Sequence, residues 1–111
     1  MTYANLRGLG LAMAIAAATF QQLAATPARA QEIQITIDNF TFAPSELAVK
    51  VGDTVTWTNH DDIPHTVVSA GKFRSKTMDT DDKYSFTFTS AGDYKYFCAL
   101  HPHMTGMIKV E

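Results

Sequence analysis

The chain has 111 residues, with nine Lys and Arg against eleven Asp and Glu, four His and a single Cys. The formal charge of −2 argues against nucleic acid as a partner and permits a basic protein partner, and one Cys excludes an internal disulfide. A chain this short makes one small domain with a modest core, so a metal that ties loops together would help hold it.

Arg7 is followed by an uncharged stretch from Gly8 to Ala28, apolar over residues 9–18, and Ala28-Arg29-Ala30 has the form of a cleavage site. Residues 1–30 therefore read as a secretory signal peptide cut after Ala30. Its apolar core is too short to span a membrane, and Gln21 and Gln22 interrupt it. Residues 31–111 are expected to be the mature domain, about 81 residues with a net charge of about −4. The domain is expected to be periplasmic and monomeric, without a membrane span after cleavage. A free thiol in such an oxidising compartment is a liability unless something occupies it.

The mature part reads as β throughout. Ile33 to Asp38 alternates apolar and polar residues, and Phe40 and Phe42 continue the alternation past Asn39 until Pro44-Ser45 breaks it. Leu47, Val49 and Val51 alternate again. Gly52-Asp53 signals a turn, and Thr54 to Thr58 is β-branched and aromatic, so residues 47–58 predict a hairpin or a pair that switches sheets. Asn59 to Pro64 is a polar loop, and His65 to Val68 a short strand. Residues 69–72 form a turn, and residues 73–82 show no period. Tyr84 to Phe88, Tyr94 to Cys98 and Met107 to Val110 supply the remaining strands. About seven short strands with regular turn signals and no helical stretch predict a two-sheet sandwich or barrel. Trp57, Val67, Phe86 and Phe88 are the leading core candidates.

The chemistry is concentrated near the C-terminus. Cys98-Ala99-Leu100-His101-Pro102-His103-Met104 offers a thiolate, imidazoles and a thioether on short spacings, and His65 stands upstream. Thiolate and thioether select copper(I), imidazole suits both copper oxidation states, and two His with a Cys and a weak axial Met make a blue-copper site. Zinc also takes Cys and His but rarely Met. Pro102 disfavours strand pairing and Gly106 allows a tight return, so the segment forms a loop that can bring Cys98, His101 and Met104 to one point. His103 competes with His101, and Met107 with Met104. No catalytic constellation is visible, so the reading is not an enzyme.

These residues give the chain its likeness to a known family. The mature chain resembles the cupredoxins, the type 1 blue copper proteins, and within them the amicyanins more than plastocyanin-like or pseudoazurin-like members. The likeness is carried by residues 49–59, Pro64-His65, residues 86–94 and the Cys98 loop, whose two-residue spacing from His101 to Met104 is that of the short-loop kind. It implies an all-β Greek-key sandwich of about seven to eight strands. It implies His65, Cys98, His101 and Met104 as the metal ligands of one copper ion, with Asn59 bracing the Cys98 loop against the His65 loop. The implied function is single-electron transfer between redox protein partners, such as a c-type cytochrome and a dehydrogenase. Storage or delivery of copper with the same ligands is the alternative. Leu100 and His103 depart from the family pattern. Leu100 stands where these loops have Pro, so its N–H is expected to donate to the Cys98 sulfur.

Overall fold

The computed structural model describes residues 29–111. The signal peptide expected over residues 1–30 lies almost wholly outside them. Nine strands are present among the described residues: β1 (Glu32–Asp38), β2 (Thr41–Ala43), β3 (Glu46–Val49), β4 (Thr54–Asn59), β5 (Val68–Ser69), β6 (Phe73–Arg74), β7 (Lys83–Thr87), β8 (Gly92–Phe97) and β9 (Thr105–Val110). They form two sheets, ordered β2-β1-β4-β7 and β3-β9-β8-β5-β6. No helix among the described residues is long and apolar enough to cross a membrane.

The expected sandwich is the observed architecture, and its two parallel pairs explain the connections. β1 lies parallel to β4, with Ile35 opposite Trp57 and Ile37 opposite Asn59, and β3 lies parallel to β9. A parallel pair needs a crossover. The chain makes it by sending β3 into the second sheet and returning through the turn at Gly52, whose φ of 100° suits glycine. Residues 47–58 are thus a sheet-switching pair rather than a hairpin.

Two expectations change. The first strand does not run past Asn39. The chain reverses there, Asp38 pairs with Thr41, and Asn39 and Phe40 take φ of 52° and 59°. A two-residue hairpin turn needs positive φ at both central positions. Such a turn shifts the period-two phase by one residue, from Ile33, Ile35 and Ile37 to Phe40 and Phe42, so Phe42 faces the core opposite Ile37 while Phe40 stands exposed at the tip. The strand expected at His65 to Val68 is also shorter. His65 makes an isolated bridge with Met78, and β5 begins only at Val68. Thr66 and Val67 use their N–H groups on side chains, Cys98 Sγ and Ser75 Oγ, instead of on a ladder. Short pieces such as β5 and β6 raise the strand count to nine.

Trp57, Val67 and Phe88 are fully buried, and Phe86 packs half-buried at the margin against Phe73. The Trp57 ring lies among Phe73, Tyr84 and Tyr96. Trp57 Nε1 and Tyr96 Oη are buried without hydrogen-bond partners. Burial pushes the Tyr96 phenol up to about 12, and the adjacent indole, out of hydrogen-bonding position, offsets only part of this.

The far end of the sandwich is closed by Asp53. Its carboxylate accepts the Lys50 N–H at 2.8 Å and the Gln31 N–H at 2.9 Å. These two bonds, with the Lys50 charge, outweigh desolvation and hold its pKa below the ordinary 3.8. A depressed folded pKa contributes stability above the unfolded value, and the contribution disappears as pH falls through the folded value. Asp53→Asn keeps only one acceptor oxygen. The variant is expected to be less stable than wild type at about pH 6, with the gap shrinking by about pH 3. Urea melts of the metal-free proteins check this, and a gap of constant size would contradict it.

Candidate metal centre

β4 ends at Asn59, and the loop that follows carries His65. Asn59 is fully buried, and its amide donates to the carbonyls of Ile63 and Met78, both at 3.0 Å. Its Oδ1 accepts the Asp61 N–H at 2.9 Å. His65 is pinned at its backbone by Met78, with N–H to O distances of 3.1 and 2.8 Å. At its ring, Nε2 lies 2.8 Å from Asp61 Oδ2. That contact turns Nδ1 toward the Cys98 loop. A carboxylate on the outer nitrogen fixes the orientation of a metal-binding imidazole and raises its basicity. Burial pushes the Asp61 carboxyl up. Hydrogen bonds from the Phe40 N–H, the His65 ring and the Asn39 N–H overcome this, and its pKa is lowered.

β8 delivers Cys98 to the same end. The loop from Cys98 to Met104 is two successive turns. The His101 N–H donates to the Cys98 carbonyl at 3.2 Å, and the Met104 N–H donates to the His101 carbonyl at 2.8 Å. The Cys98 N–H closes the loop on the Met104 carbonyl at 3.0 Å. These turns bring the Cys98 and His101 side chains together, with His101 Nδ1 3.6 Å from Cys98 Sγ.

The outcome is a convergence of three donors. His65 Nδ1 and His101 Nδ1 are 3.1 Å apart, and Cys98 Sγ lies 3.8 Å from the first and 3.6 Å from the second. All three atoms fall within 4.8 Å of one another. Bonds of about 2.0–2.3 Å to one ion, spread in a trigonal or tetrahedral arrangement, place neighbouring donors about 3.3–3.8 Å apart. The residues therefore fit a metal ion. His65 and Cys98 are fully buried, and His101 is partly exposed. Met104 is buried within the loop, whereas Met107 lies in β9 opposite Lys95 and Glu46. His103 is exposed and stands outside the donor group.

Two details differ from expectation. The Cys98 sulfur receives no hydrogen bond from Leu100 among the described residues. Its donors are the Thr66 N–H at 3.3 Å and, at 3.8 Å, the Thr66 hydroxyl. Leu100 is instead half exposed at the surface. The brace between the two loops is likewise Thr66, whose Oγ1 accepts the Ala99 N–H at 2.8 Å. Asn59 braces the His65 loop internally and touches Met78 rather than the Cys98 loop. Asp61 and Thr66 were not singled out from sequence. Their positions, four before and one after His65, are the only signal that could have found them.

A family profile described as a cupredoxin-like domain matches residues 10–110. Amicyanin of Paracoccus versutus is 36% identical over 95 residues, covering 80% of this chain and 72% of that protein. Amicyanin-alpha of Methylorubrum extorquens is 32% identical over 114 residues, covering 97% of this chain and 94% of that protein. Plastocyanin of Tetradesmus obliquus is 32% identical over 125 residues, covering 97% and 84%. Among solved structures, a methionine-to-alanine variant of amicyanin in its Cu(I) form superposes with a TM-score of 0.69 at 39% identity, covering 71% of this chain and 81% of that one. Shared sequence, shared sandwich and a His–Cys–His convergence at one end of it place the chain in the cupredoxin family.

Proposed function

We propose that the protein is an exported type 1 copper electron carrier, in which His65, Cys98, His101 and Met104 would hold one copper ion. The observation that carries the reading is the convergence of two imidazole nitrogens and a buried thiol within 4.8 Å in an amicyanin-like fold. Copper bound there would supply one-electron chemistry between its +1 and +2 states.

The protein's own part is to hold the ligands still. Asp61 fixes the His65 ring, Met78 fixes its backbone, and Thr66 donates to the thiolate while tying the two loops together. Hydrogen bonds to sulfur stabilise thiolate charge and so tune the potential. His101, partly exposed, is the electron exit. Ile63 at 40% exposure and Leu100 at 50% give that end an apolar rim suited to brief docking. Redox proteins are the partners of this reading, a c-type cytochrome and a dehydrogenase among them. The periplasm is the compartment, reached through the signal peptide of residues 1–30, with residues 31–111 as the copper domain. A fully buried His65 and Cys98 weigh against copper delivery, which needs accessible, exchangeable ligands.

Voltammetry of the copper-loaded protein tests the reading. A reversible one-electron wave is expected, and Met104→Ala should shift its potential without abolishing it. Copper that is bound but gives no reversible wave would contradict the carrier reading.

A further inference from the structure

Phe40 occupies a backbone position that its side chain disfavours. It is the second residue of the β1–β2 turn and has φ of 59°, where glycine is the favoured residue. A bulky residue there is an outlier, and such outliers persist where the surroundings impose them. Core burial does not explain this one, since Phe40 is 44% exposed. What its ring does touch is the metal centre. It stands edge-to-face with His65 at 5.4 Å and 85°, and with His101 at 5.0 Å and 89°.

One carboxylate fixes that arrangement. Asp61 Oδ1 accepts the Asn39 N–H, and Oδ2 accepts the Phe40 N–H at 2.9 Å while lying 2.8 Å from His65 Nε2. The turn and the buried imidazole therefore share a single anchor. His101 has no equivalent. Among the described residues its only polar side-chain partners are His65 and Cys98, both through Nδ1, and its Nε2 has none. Two rings flank the His101 imidazole, that of His65 at 4.9 Å and that of Phe40 at 5.0 Å, and Phe40 is the one that is not itself a proposed ligand.

We infer that Phe40 is a positioning residue of the copper site: anchored by Asp61, its ring holds the His101 imidazole in its ligating orientation and slows loss of the metal. The inference rests on the ligand assignment proposed above. Phe40→Gly tests it, because glycine relieves the turn while removing the ring. The metal-free variant is expected to melt at the wild-type temperature or above it. Its His101 ring-proton NMR signals, distinct in metal-free wild type, should collapse toward the averaged positions of a free imidazole. Transfer of Cu(I) to an excess of bathocuproine disulfonate should be about two- to tenfold faster, the range an aromatic pair contact supports. Unchanged imidazole signals, unchanged copper release or a lowered metal-free melting temperature would each overturn the inference. The NMR signals decide the matter in metal-free protein. Failure of the wild type to bind copper would therefore defeat the functional reading alone.

Discussion

Asn59→Ala is expected to destabilise the metal-free protein by about 3–5 kcal/mol, the cost of leaving several buried partners unsatisfied. The side chain is fully buried and makes three hydrogen bonds at 2.9–3.0 Å, to the Ile63 and Met78 carbonyls and the Asp61 N–H. Alanine satisfies none of them, and the Met78 carbonyl bond is wholly buried. In a domain of this size about 1 kcal/mol moves the melting temperature by about 4–8 °C, so a fall of more than about 10 °C should appear in a thermal melt. The effect reaches function through Asp61, whose position sets the His65 ring. Asn59→Asp should fare little better, because a carboxylate cannot donate to two carbonyls. A fall below about 5 °C for Asn59→Ala would contradict this account of the His65 loop.

Gly106→Ala is expected to cost about 1–3 kcal/mol through overpacking. Gly106 lies in β9 opposite Tyr96, and a Cβ added there would run into the Cζ and Oη atoms of the Tyr96 ring. The ring cannot step aside. It is 2% exposed and held in edge contacts with Phe42 at 4.8 Å and Trp57 at 5.4 Å. Sequence reading assigns Gly106 to a tight loop return. The structure places it within β9 instead, where the lack of a side chain makes room for the Tyr96 ring. Wild-type stability in Gly106→Ala would mean that the Tyr96 ring has room to move.

The sequence carried the strand pattern and the donor residues well, because both are written locally. Period-two alternation marks β1, β4, β7 and β8, and Cys98 to Met104 holds three proposed ligands within seven residues. What it could not carry were relations between distant segments. The reversal at Asn39–Phe40 appears in the pattern only as a one-residue slip of the alternation, from Ile37 to Phe40, and a slip alone does not tell a turn from a bulge. The sulfur's donor is Thr66, thirty-two residues from Cys98, although Leu100 is far nearer in sequence. Asp61 joins the β1–β2 turn to His65 across twenty-two residues. In each case a hydrogen bond closes between loops that only the folded sandwich brings together, and residue spacing does not encode it.

Cys98, His101 and His65 are the residues proposed to hold copper through a thiolate. The visible absorption spectrum on adding Cu(II) to the metal-free protein tests this assignment most directly. Wild type and His103→Ala are expected to develop an intense blue charge-transfer band, and Cys98→Ser and His101→Ala to lack it. A band that survives Cys98→Ser, or one that disappears in His103→Ala, would contradict the assignment.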